Sequence, residues 1–356
     1  MHFDDGHIPA EYTRYIGRKL ILILVTALVL GAALLAAISL GAAHVPIAEV
    51  FKSILSLEVS KRFDLIVWHI RLPQALAAMI AGAGLAISGA VMQSILRNPL
   101  GSPFTLGISH AAAFGAAFSV MILGSGTMGS SQVGSISITN PYITSTAAFV
   151  CSLAAVAMII AVSKVRGATP ETMILAGVAL GALFTAGTMF LQFFADDVQL
   201  AAMVFWTFGD TARASWREIG ILAGVTATAS LYFMANAWNY NAIDAGDETA
   251  RGLGVQVDRV RVTGMFMASL VTSVIIAYLG IIGFVGLVVP HMVRRLLDGD
   301  HRFLLPATIL MGALLLLVSD TVARLLLAPH ILPVSVLTAF MGAPLFMFLI
   351  IRGYTK

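Results

Sequence analysis

Charge is what this chain has least of. Its 356 residues include only 21 lysines and arginines and 18 aspartates and glutamates, and 59% of the residues are hydrophobic. A soluble domain carries about a quarter charged residues, so the composition excludes that class and predicts a polytopic, all-α membrane protein. The net charge of +3 is small and reads as basic loops beside anionic membrane lipid, with no nucleic-acid partner. The single cysteine, Cys151, lies in an apolar run, which excludes a disulfide framework. No G-x-x-x-x-G-K-[ST] loop occurs, so the chain cannot hydrolyse ATP by that route. No Cys/His cluster has metal-site spacing, and no G-x-S-x-G is present. The expectation is a transport subunit rather than an enzyme, with no catalytic residue, metal or cofactor in this chain.

What is present is a series of apolar runs. A helix needs roughly 20 apolar residues to cross a bilayer. Candidates lie near 20–42, 74–96, 105–124, 142–163, 172–194, 216–236, 262–281, 284–297, 303–327 and 334–351. The first run follows basic residues as a signal peptide would, but it is too long for an h-region and reads as a span. The stretch 262–293 is nearly unbroken, and Gly280, Gly283, Gly286 and Pro290 predict a break within it. Charge placement arbitrates the count. Ten spans with the N-terminus inside put 14 of the 21 basic residues in the cytoplasm, whereas nine spans leave 10 inside and erase the positive-inside bias. The reading is therefore a cytoplasmic segment 1–19, one membrane domain over 20–352 and a tail at 353–356, with both termini cytoplasmic. Outside lie a segment at 43–73, a charge-free Gly/Ser-rich loop at 125–141 and a loop at 195–215. Trp206 and Trp216 suit the headgroup zone there.

Against this background, "IDAGDETARGLGVQVDRVRV" (243–262) stands out, with seven charged side chains in a cytoplasmic connection. Asp247 and Glu248 suit the start of a short helix, Asp247 as its cap. Gly252 and Gly254 offer a left-handed stop, and a second helix starting near Gln256 leads into the seventh span. The pattern predicts a compact helical elbow at 243–261.

Polar residues within the membrane are few. Asp320 and Arg324, four apart in the ninth span, share a face and can pair. Arg71 and Arg324 fall near the outer rim, where two arginines could dock an acidic soluble partner. The second span is rich in small residues (Gly82, Gly84, Ala86, Ser88, Gly89), which permits close helix packing in lipid. His110 and His291 sit at span ends, where a hydrogen-bonded structural histidine is expected. Buried acids of the kind a proton relay needs are almost missing, which counts against an ion-coupled transporter.

The run "RLPQALAAMIAGAGLAISGAVMQSILRNPLGSPFTLGIS" (71–109) resembles the signature of the FecCD family, the permeases of ATP-driven importers for iron–siderophore complexes, haem and cobalamin. Further matches follow in family order: "ILAGVALG" (174–181), "FWTFGD" (205–210), "ARGLGV" (250–255), "GFVGLVVPHMVRRL" (283–296), "DHRFLLP" (300–306), "SDTVAR" (319–324) and "LPVSVLTAFMGAPLFMFLI" (332–350). The resemblance implies the type II ABC importer permease fold, with ten transmembrane helices per subunit. It further implies a homodimer, two cytoplasmic ATPase subunits that bind ATP and Mg, and an extracytoplasmic substrate-binding protein. Asp247, Glu248, Arg251, Gly252, Leu253 and Gly254 match the elbow that couples to the ATPase. Arg71 and Arg324 match positions that can face the binding protein, and Thr169, Pro170 and Glu171 fall at the cytoplasmic gate. The chain departs from the pattern at Gln74, where many members have arginine, at His110 and Ala111, and at Ser335, where glycine is usual.

The function expected is a cell-membrane permease subunit that moves an iron chelate inward, iron being chosen on family frequency. A cobalamin or oxyanion importer and an ion-coupled secondary transporter are the alternatives. An intramembrane enzyme lacks a nucleophile–base or metal set.

Overall fold

The computed structural model describes residues 10–41, 43–57, 59–128, 136–138, 141–327 and 330–353. Helix α1 (Ala10–Ser39) opens the described chain, followed by the short α2 (Ile47–Ile54) and α3 (Lys61–Leu65). A wider π-helical turn (Ile66–Arg71) joins α3 to α4 (Leu72–Ile95), so Lys61–Ile95 forms one helical run of 35 residues. Then come α5 (Ile108–Ile122), α6 (Pro141–Arg166), α7 (Pro170–Phe194), α8 (Asp197–Thr207) and a 3-10 turn (Thr211–Arg213). The remainder is α9 (Trp216–Ala235), α10 (Ala237–Asp244), α11 (Asp247–Gly252), α12 (Val257–Leu279), α13 (Val285–Leu297), α14 (His301–Leu326) and α15 (Val334–Gly353). Two three-residue strands, β1 (Gly126–Met128) and β2 (Ile136–Ile138), pair antiparallel.

A helix lies at each of the ten expected spans. Among the described residues, seven are long and apolar enough to cross a membrane, while Ile108–Ile122 and Val334–Phe348 are apolar but shorter. Helix α13 has 13 residues and contains Pro290. The chain is a multi-pass membrane protein. The predicted break after the seventh span is real: α12 ends at Leu279, and Gly280 takes φ +80°. A Cβ on Gly280 would come within 2.9 Å of the Trp206 carbonyl oxygen, so glycine meets a steric as well as a conformational demand.

Helix α1 begins at Ala10, within the segment expected at 1–19, and residues 1–9 lie outside the described residues. Of the expected tail, Gly353 ends α15, and 354–356 lie outside the described residues. The segment 43–73 is largely helical.

Helix starts follow local chemistry. Thr169 caps α7 by accepting the Thr172 N–H, with Pro170 at the first helical position. Asp196 and Gln199 form a capping box at α8, and Asp300 caps α14 through the Arg302 N–H. The core centres on α4, which is buried along most of its length and packs against α14, α12, α13 and α9. Helices α1, α6 and α7 are mostly exposed and present apolar side chains outward, as lipid-facing helices must.

Candidate functional site

The charged island folds as the elbow its pattern predicts. Gly246 (φ +117°) turns the chain out of α10, and Gly254 (φ +86°) turns it from α11 toward α12. The last turn of α11 closes through Leu253 N–H to the Thr249 carbonyl and Val255 N–H to the Ala250 carbonyl, each 3.0 Å. Ala250 faces inward, while Glu248, Arg251, Gly252, Leu253 and Gly254 are exposed, Leu253 at 70%. Arg251 lies 3.5 Å from Asp258, an exposed pair of little energetic weight.

Asp247 does not cap α11 as expected; Gly246 occupies that position. Its carboxylate turns inward and takes both oxygens to Arg261 Nη2, at 2.9 and 3.0 Å. Arg261, in the first turns of α12, is 1% exposed. Its Nε donates to the Ile95 carbonyl at the end of α4 (2.7 Å), and its Nη1 donates to the Ala168 carbonyl between α6 and α7 (2.8 Å). One guanidinium therefore joins the elbow, α4 and the residue before Thr169. In the sequence Arg261 is one of the seven charges of the 243–262 stretch and carries no further mark. Its distance from Ile95 and Ala168 along the chain hides the cluster.

Helix α10 is held just as firmly. Ser94 Oγ donates to Asp244 Oδ1 (2.6 Å), and Asn241 Nδ2 donates to Asp300 Oδ1 (3.0 Å). Asn241 Oδ1 accepts the His301 N–H (2.9 Å). Burial alone would raise the Asp300 carboxyl, but hydrogen bonds from Arg302 and Asn241 outweigh it and hold the group at about 2. The elbow thus sits on a base tied to α4, α12 and α14. Thr169, Pro170 and Glu171 surround the start of α7, with Thr169 and Glu171 exposed next to the Ala168 carbonyl that Arg261 holds.

Both arginines expected to face a binding protein make bonds within the chain. Arg71 is buried, and its guanidinium donates to the carbonyls of Ile38 (2.7 Å), Ser39 (2.6 Å) and Ala43. It satisfies orphan carbonyls at the end of α1. Arg324 lies 3.1 Å from Asp320 Oδ2, with its Nε–H poorly aimed at that oxygen, and reaches the Ala37 carbonyl at 3.3 Å. The predicted Asp320–Arg324 pair is present. Asp320 is buried and also accepts hydrogen bonds from Gln74 Nε2 (3.0 Å) and Thr211 Oγ1. Gln74 is therefore bonded inward.

Trp206 is buried and only Trp216 is half exposed, its Nε1 donating to the Trp68 carbonyl (3.0 Å). Ser335 Oγ accepts the Gly209 N–H (3.1 Å), which gives a hydroxyl at that position a local role. His110 is exposed at the start of α5. Among the described residues, no group of three or more His, Cys, Asp or Glu stands close enough to hold a metal ion. The arrangement provides a packed centre on α4 and a charged elbow tied into it through Asp247 and Arg261.

The model of the FecCD transport family matches residues 27–352, and the chain belongs to that family. It is 50% identical to a Methanocaldococcus jannaschii protein named as an ABC transporter permease, over 98% of this chain and 99% of that one. It is 34% identical to the hemin transport system permease of Yersinia pestis, over 93% and 94% of the two chains. It is 35% identical to the vitamin B12 import system permease of Escherichia coli, over 83% and 86%. A solved structure described as a metal-chelate-type ABC transporter in an inward-facing conformation superposes with a TM-score of 0.80 at 28% identity, covering 93% of this chain and 98% of that one.

Proposed function

We propose that this chain is the permease subunit of an ABC importer that carries an iron chelate, a siderophore or haem, inward on ATP hydrolysed by partner subunits. The observation that carries the reading is the elbow: a one-and-a-half-turn helix between two left-handed glycines, exposing Glu248, Arg251 and Leu253 on a base anchored to the core. Such a projection suits insertion into a cleft on a soluble partner. Glu248, Arg251, Gly252, Leu253 and Gly254 meet a cytoplasmic ATPase subunit, with Asp247 fixing the elbow from inside. Two such ATPase subunits bind ATP and Mg. A second copy of the chain completes the translocation path, each copy spanning the membrane ten times with both termini cytoplasmic. Thr169, Pro170 and Glu171 form the cytoplasmic gate. An extracytoplasmic binding protein docks on the outer face, where Arg62 and Arg217 are exposed while Arg71 is bonded inward.

The similarity to the vitamin B12 permease matches that to the hemin permease, so cobalamin is the second reading of the substrate. Uptake of each compound into proteoliposomes holding the whole complex separates the two.

The test of the importer reading is recovery of tagged chain from native membranes in mild detergent. Wild type should bring down an ATPase subunit, and Arg251→Glu should lose it. Arg251 makes only an exposed, long ion pair, so the substitution leaves the fold intact. A folded wild-type chain that recovers no ATPase would overturn the reading and leave ion-coupled transport in its place.

A further inference from the structure

Three separate pieces of backbone meet at one buried cation. The geometry points to Arg261 as the positioning residue through which displacement of the α11 elbow reaches the α6–α7 loop and the cytoplasmic end of α4. The inference rests on the importer reading above and names the internal link that the reading requires.

The argument begins with the guanidinium. Its N–H groups form a fixed planar fork, and here they point along three directions at once: Asp247 on the elbow, Ala168 before α7 and Ile95 at the end of α4. A shift of α11 therefore either carries the other two segments or breaks bonds to them. Breaking is costly, because Arg261 is 1% exposed and Asp247 is the one acid that forms an ion pair with it among the described residues. A buried cation separated from its counter-charge is strongly disfavoured. The exposed Arg251–Asp258 contact has no such stiffness, since water can replace either partner.

The receiving ends are also placed to turn small displacements into larger ones. Ala168 directly precedes Thr169, the cap of α7, and follows Gly167 at φ +90°. Ile95 is the last residue of α4, two residues before Arg97 at φ +45° and the Asn98 turn. Both carbonyls thus lie at hinges where a helix meets irregular backbone, so a pull on them changes the entry or exit angle of a long helix. Lysine could satisfy one of the three directions but not all of them.

The test uses the complex recovered from native membranes through the tagged chain, in a Cys151→Ser background with a spin label on Glu171→Cys. The readout is the change in label mobility at the α6–α7 loop when ATP and vanadate are added. It is set beside the amount of ATPase recovered and the rate of ATP hydrolysis. Arg261→Lys should recover the ATPase and hydrolyse ATP near the wild-type level, and for Asp247→Asn, a substitution in the elbow itself, the loop response is read per ATPase recovered. Their loop response should be smaller by at least about fivefold, the low end of measured allosteric couplings. Should Arg261→Lys fail to fold, Asp247→Asn, which keeps shape and removes only the charge, decides alone. Loop responses equal to wild type would overturn the link, and so would loss of ATPase recovery with Asp247→Asn, which would make Asp247 a docking group. A wild-type chain that recovers no ATPase would instead sink the importer reading, a failure distinct from that of the link.

Discussion

Gly82 and Gly312 meet backbone to backbone: a Cβ added to Gly82 would lie 2.2 Å from the Gly312 carbonyl oxygen, and one on Gly312 would lie 2.4 Å from the Gly82 oxygen. The α4–α14 contact therefore exists only because neither residue has a side chain. In lipid, where hydrophobic burial drives helix association weakly, such close approach supplies the dispersion energy of the interface. Gly82→Ala should cost about 1–3 kcal/mol, the usual range for an overpacked core, and lower the melting temperature in detergent. Gly224→Ala is the control. Nothing lies within 4 Å of its added Cβ, so the better helix propensity of alanine should leave stability unchanged or raised.

Asp320 offers a second test. It collects Gln74, Thr211 and Arg324 from three elements in a buried site. Asp320→Ala should destabilise by about 3–5 kcal/mol, because it strands the Arg324 cation against a half-closed, desolvated surface. Asp320→Asn retains an acceptor for Gln74 and Thr211 and should cost clearly less. The double variant Asp320→Leu with Arg324→Met should recover much of the loss, since it removes both charges together. Thermal melts of the four purified proteins check the order.

How much of this was legible in the sequence depended on whether a signal was local. The break at Gly280, the Asp320–Arg324 pair and the elbow at 243–261 all follow from spacing within a few residues, and the structure carries them; of the ten apolar segments, seven form helices long and apolar enough to cross a membrane among the described residues. What the sequence hides is partner choice across the chain. Arg71 donates to carbonyls at the end of α1, some thirty residues earlier, a contact that no local spacing signals. Asp247 matched a cap, yet Arg261 outbid the helix terminus because a buried cation needs a full counter-charge. Trp206 suits the headgroup zone by type, but it is buried in a cluster with Ala112, Ala116, Ala148 and Ile276.

Ser335 gives a smaller, sharper prediction. Its hydroxyl accepts the Gly209 N–H where glycine was the expected residue. Ser335→Gly leaves that N–H without its partner, and the net loss of one such bond is about 1 kcal/mol. A melt should show a modest drop. Amide exchange at Gly209 should rise out of proportion to the global change, because the lost bond is local.

Asp300 predicts an acid limit at the start of α14. Its carboxylate caps α14 through the Arg302 backbone N–H and accepts from Asn241 Nδ2 and from Nε and Nη2 of the Arg302 side chain. Those bonds overcome the effect of burial and bring the group from 3.8 down to about 2. The sign follows from linkage: a carboxyl with a depressed folded pKa stabilises the fold above its unfolded pKa, and that contribution disappears as pH falls through the folded value. The Asp300 contribution should thus be whole above pH 4 and decline between about 4 and 2. Melting curves across that window should slope downward for wild type, with a part of the slope missing in Asp300→Asn. Equal slopes for the two proteins would mean that the Asn241–Asp300–Arg302 cluster does not hold α14 in the way the hydrogen bonds indicate.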